Sequence, residues 1–78
     1  MTSKAAITRA FRRIANITGA INPNEVTFRF GIAAGFINAA RELEVVSESE
    51  WSRLLELAEH ANDNHPLVSV KSGDASQR

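Results

Sequence analysis

Two carboxylates and two histidines late in the chain carry donor atoms that bind transition metals. Glu56 and His60 are four residues apart and would share one face of a helix, and Asp63 and His65 follow closely. His65, however, stands beside Pro66 beyond the helical pattern, and the set matches no established ligand spacing. We therefore predict no functional metal site and no cofactor.

Four basic side chains near the start of the chain offer a different chemistry, the binding of anions. Lys4, Arg9, Arg12 and Arg13 occur within the first 20 residues, where there is no acidic residue. Each contact between such a cation and a phosphate releases counterions and adds salt-dependent affinity. An acidic protein surface is another target for them. The plainer interpretation is that these charges form a solvated face.

The residue patterns that most enzymes need are missing from the sequence. It contains no cysteine, no glycine-rich phosphate loop, and no combination of serine, histidine and acid that would be buried together. A ligand pocket of about 300 Å³ or more is also difficult to build in so small a domain. We predict that the protein is not an enzyme.

The overall charge does not favour an anionic partner. Nine basic and nine acidic residues give the 78-residue chain a formal net charge of zero, so no overall field favours nucleic acid or anionic lipid. No apolar run approaches the roughly 18 residues that span a bilayer, and the start of the chain lacks the pattern of a signal peptide. The lack of cysteine fits a reducing compartment. We expect a cytoplasmic protein with no membrane partner.

Secondary structure must position these side chains, and the sequence predicts three helices. Over residues 3–18, apolar residues recur at steps of three and four, the spacing of one helical face, and the four cations fall on the other side. Ser3 is the predicted N-cap. Gly19 is the predicted stop, because glycine takes the left-handed conformation without steric cost.

A second helix is predicted over residues 23–43. Asn22 can cap it, Pro23 suits the first helical position, and Glu25 stands three residues after Asn22 as the second half of a capping box. The alternation of residue types over 26–32 would also suit a short strand. The cap signals favour the helix, because a lone strand would have no partner in an otherwise helical chain.

Two apolar stripes and a wedge of small residues cover most of the circumference of this second helix. Arg29 lies among the apolar residues, where its stem can follow them while its head pairs with Glu25, four residues back. Monomer and dimer both remain open. A core or a self-association surface is predicted for Phe28, Gly31, Gly35 and Phe36.

The third helix is predicted over residues 48–61. Ser47 and Glu50 form a capping-box pattern, and Val46 with Trp51 would pack across it as a hydrophobic staple. Trp51 is assigned to the core, because a three-helix core needs one large side chain. The sequence thus predicts an all-α, compact three-helix domain over residues 1–62. A largely disordered tail would follow over 63–78, with a short docked stretch around 67–70.

Acidic side chains on the outside of the third helix limit what this helix can bind. Glu56 and Glu59 face away from its apolar stripe. A recognition helix enters the major groove of DNA, where the phosphate backbone would repel them. The second and third helices are therefore not predicted to form a sequence-specific helix-turn-helix.

The segment GFINAARELEVVSESEWSRLLELA, residues 35–58, resembles a helical hairpin that recurs in short proteins encoded by phages and other mobile elements. The matching positions are Gly35, Phe36, Ile37, Ala39, Ala40, Leu43, Val46, Ser47 and Glu50. In size and helical habit the whole chain is similar to the small all-helical anti-CRISPR proteins. The resemblance implies a non-enzymatic inhibitor that binds a bacterial CRISPR-Cas effector and blocks its DNA binding or its nuclease recruitment. It implies no particular functional residue.

Two hypotheses about function follow. The first is a protein-binding inhibitor of mobile-element origin, acting in the host cytoplasm through its charged outer faces. The candidate partner-binding residues are Lys4, Arg9, Arg12 and Arg13 on one face and Glu56 and Glu59 on another. The second is a small dimeric transcriptional regulator that binds nucleic acid with the basic face of the first helix. Salt-dependent retention on duplex DNA would distinguish them.

Overall fold

The computed structural model describes residues 1–68 and contains three long helices. They are α1 (Ser3–Thr18), α2 (Pro23–Glu42) and α3 (Glu48–Asp63). No strand occurs within residues 1–68, and 26–32 are helical throughout. The predicted all-α, three-helix fold is confirmed. The first helix has the predicted bounds, the second ends one residue earlier than predicted, and the third continues two residues further.

The first helix begins with a different cap from the one predicted. The Oγ1 atom of Thr2 accepts a hydrogen bond of 3.0 Å from the backbone N–H of Ala5, so Thr2 is the N-cap and Ser3 is the first helical residue. The hydroxyl of Ser3 instead donates to Glu50 Oε1 at 3.3 Å, which joins the starts of α1 and α3. The prediction failed because two adjacent hydroxyl residues fit the same cap position.

The first helix also ends differently from the prediction. Gly19 has a φ of −86°, so it does not take the left-handed conformation for which glycine was expected here. Its N–H bonds the carbonyl oxygen of Asn16 at 3.3 Å and tightens the last turn. A Cβ atom at Gly19 would lie 3.6 Å from Arg29 Nη1, an ordinary contact. The helix ends without any requirement for glycine.

One of the two hydrogen bonds of the predicted capping box is present at the start of α2, and the other has a different donor. Asn22 Oδ1 accepts from the N–H of Glu25 at 2.9 Å, as predicted. The Glu25 carboxylate reaches one residue further back and accepts from the N–H of Ile21 at 3.1 Å. The same oxygen, Oε1, lies 3.4 Å from Arg29 Nη2. The carboxylate is therefore shared between the entry to α2 and a side chain one turn along it.

A tight turn connects α2 to α3. Glu44 has a φ of 59°, in the left-handed region, and its N–H bonds the carbonyl of Arg41 at 3.0 Å. The N–H of Val45 bonds the carbonyl of Ala40 at 2.9 Å, which completes a Schellman motif with glutamate where glycine is usual. Two residues later Ser47 and Glu50 form the predicted capping box, with bonds of 3.1 and 2.8 Å.

The core lies where the three helices meet, and each helix contacts the other two. Ile17, Val26 and Ile37 are its largest fully buried side chains, and Leu54 joins them from α3. Small residues fill the closest approaches between helices: Ala6, Ala10, Ala33, Ala40 and Ala58. The structure therefore buries the apolar stripe of α2 that contains Val26, Ala33 and Ile37.

Beyond α3 the structure describes the chain as far as Val68. Residues 66–68 are helical, and Val68 packs against the core. The imidazole of His65 is buried, and its Nδ1 atom accepts a hydrogen bond of 3.1 Å from the N–H of Leu67. The rest of the predicted tail, residues 69–78, lies outside the described residues.

Candidate functional site

The basic side chains of α1 divide into two groups. Lys4, Arg9 and Arg12 are exposed and line one open hollow along the outer side of α1. We call these three residues the α1 basic face. Arg13 turns the other way, toward α2, where its guanidinium carbon lies 4.3 Å from the centre of the Phe36 ring. Three of the four predicted cations therefore face solvent together, and the fourth forms a cation–π contact.

The side chains of the α1 basic face form no ion pair within residues 1–68. Across the part of the chain that the structure describes, the one ion pair joins Arg29 to Glu25. The first acidic residue of the sequence is that same Glu25, beyond the end of α1. Lys4, Arg9 and Arg12 are therefore exposed to solvent without a directly paired acid among the described residues.

Arg29 connects α2 to the end of α1. Its Nη1 atom donates to the carbonyl oxygen of Asn16 at 2.9 Å, and its Nη2 atom pairs with Glu25 at 3.4 Å. The predicted pairing with Glu25 is confirmed. The bond to Asn16 was not predicted, because no pattern in the sequence indicates which carbonyl a long side chain will reach thirteen residues away.

One side of α2 is left uncovered by the other helices. Phe28 is 68% exposed and Leu43 is 74% exposed, and Ile32 is also exposed between them. Gly31 and Gly35 have no atom within 4 Å of where a Cβ would stand. We call this surface the α2 apolar face; it consists of Phe28, Gly31, Ile32, Gly35, Ala39 and Leu43.

The four residues predicted to form a core or a self-association surface are thus separated. Phe36 is partly buried and packs against the core. Phe28, Gly31 and Gly35 face solvent. Only Phe36 acts in the core, and the other three remain candidates for contact with another molecule.

Two shallow hollows flank Phe36 along the groove between α1 and α2. The first is lined by Arg13, Asn16, Phe28, Arg29 and Ile32, and we call it the basic hollow. The second is lined by Met1, Phe36, Ala39, Ala40, Leu43 and Val45, and we call it the apolar hollow. Both are open to solvent, and neither contains the side chains of an acid–base or nucleophilic mechanism.

The outer side of α3 carries the opposite charge. Glu56 and Glu59 are both exposed there, as predicted from the helical period. Trp51, at the start of this helix, is half-buried, and its indole Nε1 donates to Asn38 Oδ1 at 2.8 Å. These two acidic side chains therefore lie on a different helix from the α1 basic face, and Arg53 is a basic residue also exposed on α3.

Glu50 is the acid whose surroundings change its ionisation most clearly. The N–H of Ser47 donates to its carboxylate at 2.8 Å and lowers the pKa of Glu50. Partial burial opposes this, while hydrogen bonds with the Ser3 and Ser47 hydroxyls lower the pKa further. The shift comes from a helix cap and not from a catalytic arrangement.

The four residues first considered as metal ligands do not converge. No group of three or more histidine, cysteine, aspartate or glutamate side chains within residues 1–68 could hold an ion. His60 Nδ1 lies 3.1 Å from Asn64 Nδ2, and His65 is turned inward to bond Leu67. In the same part of the chain, no helix is long and apolar enough to cross a bilayer.

Comparison with protein-family models, with curated protein sequences and with solved structures finds no match in any of the three. The fold and the distribution of charge define an all-α three-helix domain with separate basic, apolar and acidic surfaces.

Proposed function

We propose that this protein is a non-enzymatic inhibitor of mobile-element origin that acts in the bacterial cytoplasm by binding another protein. The observation that carries the proposal is the α1 basic face. Three cations project from one side of one helix, and no acid of residues 1–68 pairs with them. Such a surface attracts an acidic partner over distance and orients it on contact.

The chemistry of the α1 basic face favours a protein partner. Two of its three cations are arginines, which are enriched at protein interfaces and bind carboxylates with two parallel hydrogen bonds. The partner should therefore present a cluster of carboxylates to α1.

The specific form of the proposal is an anti-CRISPR protein, as the resemblance of residues 35–58 implies. The two modes of inhibition that this resemblance implies, blocked DNA binding and blocked nuclease recruitment, would use different faces of the protein. A protein that blocks DNA binding must occupy a surface that is itself basic, because such a surface neutralises phosphates. Glu56 and Glu59 on α3 would suit that mode, whereas the α1 basic face would suit an acidic surface that recruits the nuclease. The cations of the α1 basic face, unpaired within residues 1–68, lead us to favour blocked recruitment.

Two variants with reversed charge test the proposal. In the first, Lys4, Arg9 and Arg12 are replaced by glutamate; in the second, matched control, Glu56 and Glu59 are replaced by lysine. Each is expressed in a bacterium with active CRISPR-Cas immunity and challenged with a phage that the immunity targets. The wild type should restore phage plating, the α1 variant should not, and the α3 variant should behave as the wild type.

Purified variants complete the experiment. Circular dichroism must show that both variants keep the helical fold, and the wild type should co-purify with a CRISPR-Cas effector that the α1 variant fails to retain. Loss of inhibition in the α3 variant alone would indicate blocked DNA binding instead. If the wild type neither protects phage nor retains an effector in strains that carry the principal CRISPR-Cas types, the anti-CRISPR proposal is wrong.

A nucleic-acid-binding regulator is the second candidate, and the same basic face supports it. Binding to phosphates would make the affinity for duplex DNA fall steeply as salt rises, with a slope that decreases by about one for each cation removed. Retention of the wild type on duplex DNA across a salt series, compared with the α1 variant, is the measurement. A lack of binding at every salt concentration would exclude the regulator and leave the inhibitor proposal intact.

A further inference from the structure

The α2 apolar face is an exposed feature of the molecule that the proposed function does not use. Phe28 and Leu43 lie fifteen residues apart on α2, about four turns, and both are mostly exposed. Apolar surface that is contiguous and exposed on a small protein usually marks an interface. The glycines between them leave the helix backbone accessible, so another helix can approach closely.

The shape of this face is complementary to itself. Phe28 projects at one end of the face, and the apolar hollow lies at the other end, around Phe36, Ala39 and Leu43. Gly35 stands midway, seven residues after Phe28 and seven before Glu42. If two copies of α2 cross in antiparallel directions at Gly35, Phe28 of each copy meets the apolar hollow of the other. Both contacts form together, as an interface with a two-fold axis requires.

The charges at the two ends favour the same direction. Arg13 and Arg29 lie beside Phe28 in the basic hollow, whereas Glu42 and Glu44 are exposed beside Leu43. Arg13 reaches to within 4.3 Å of the Phe36 ring, next to the crossing point, and Glu25 partly neutralises Arg29, so the acidic end carries the clearer charge. An antiparallel crossing keeps the exposed Glu42 and Glu44 of one copy away from those of the other. A parallel crossing would place like charges together and is disfavoured.

We infer that the α2 apolar face binds a second copy of this chain. The two α2 helices cross in antiparallel directions at Gly35, and Phe28 of each copy inserts into the apolar hollow of the other. The α1 basic face is not part of this contact, so the dimer would present two such faces and bind a partner with two acidic sites more tightly than one copy could. The inference does not depend on the identity of that partner.

Sedimentation equilibrium of the full chain over micromolar to millimolar concentrations tests the inference. The wild type should be a reversible dimer. Phe28→Asp and Leu43→Asp should each weaken dimerisation by about 30-fold or more, as expected for anchors at the centre of an interface. Phe11→Asp is the matched control, because Phe11 is also exposed but lies about 160° around α1 from Arg13. It should leave the dimer unchanged.

Cross-linking tests the direction of the two helices. The chain has no cysteine, so each introduced thiol is unique. An equal mixture of Phe28→Cys and Leu43→Cys proteins should form a disulfide-linked heterodimer on mild oxidation, and Phe28→Cys alone should not link to itself. Ser52→Cys, which is exposed on α3, should form no link.

The outcomes are decisive in both experiments. Dimerisation that is lost in both aspartate variants and kept in Phe11→Asp, with the mixed cross-link, supports the inference. A wild type that is monomeric at every concentration overturns it, as does a dimer that both aspartate variants retain. Efficient self-linking of Phe28→Cys would overturn the antiparallel arrangement. Circular dichroism identifies any aspartate variant that fails to fold. If one fails, the cross-linking result decides whether the two α2 helices meet.

Discussion

Arg29 donates a hydrogen bond of 2.9 Å from Nη1 to the carbonyl oxygen of Asn16, in the last turn of α1. The last turn of α1 contains no basic residue of its own. Carbonyl groups at the end of a helix lack partners within the helix and carry partial negative charge. A side chain of α2 therefore gives this carbonyl a second donor, beside the N–H of Gly19, and supplies the positive charge that the last turn of α1 lacks.

Replacement of Arg29 by methionine should destabilise the fold. Methionine keeps most of the apolar stem but removes the donor, and we expect a loss of about 1 kcal/mol in the free energy of unfolding, from urea denaturation. Glu25→Gln is the matched control for the ion pair alone. Exposed ion pairs contribute about 0 to 1 kcal/mol, so its effect should be the smaller of the two. A larger effect in Glu25→Gln would contradict the assignment.

Replacement of Gly31 or Gly35 by alanine should stabilise the folded chain. Both glycines lie inside α2 with open space where a Cβ would stand, and alanine costs less conformational entropy in a helix. We expect a gain of roughly 0.5 to 1 kcal/mol at each position, from thermal denaturation of a dilute sample. The reverse change at a neighbouring position, Ala34→Gly, should lower the free energy of unfolding by a similar amount. Destabilisation by Gly31→Ala would show that the space is occupied.

Replacement of Glu44 by glycine should also stabilise the domain. Glu44 has a φ of 59°, a conformation that costs a residue with a Cβ roughly 1 kcal/mol. Glu44→Gly removes this strain, and we expect a gain of up to about 1 kcal/mol in the free energy of unfolding. Glu44→Val is the opposing variant, because a β-branched side chain fits the left-handed region poorly and should destabilise. Equal stability of the two variants would exclude strain at this turn.

The capping carboxylate of Glu50 should make stability depend on pH. Its pKa is lower in the folded protein than in the unfolded chain, mainly because the N–H of Ser47 donates to it. The ionised form is therefore bound more tightly by the fold. The resulting stabilisation is present above the unfolded pKa and is lost as pH falls through the folded pKa.

Comparison of the wild type with Glu50→Gln measures this effect. Glutamine can still accept a hydrogen bond but does not ionise. The urea midpoint of the wild type should exceed that of the variant at neutral pH, and the difference should shrink on acidification through the carboxylate range. A difference that stays constant with pH would show that Glu50 acts only as a neutral cap.

The sequence by itself determined the helices, because the interactions that begin a helix are local. Asn22 and Ser47 each bond an N–H three residues further on, and such pairs are visible in the sequence. The same locality explains the one cap that was placed wrongly. Thr2 and Ser3 are adjacent hydroxyl residues, and the contact between Ser3 and Glu50, which distinguishes them, spans 47 residues.

The tertiary structure decided which surfaces remain free. Phe28 and Phe36 belong to the same apolar stripe of α2, yet Phe36 packs on the core beneath Arg13 while Phe28 is mostly exposed. Arg12 and Arg13 are neighbours in sequence, but one faces solvent and the other faces an aromatic ring. The helical period gives only the direction of each side chain. Whether that direction leads to water or to another helix depends on where the helices cross, which packing between distant residues determines.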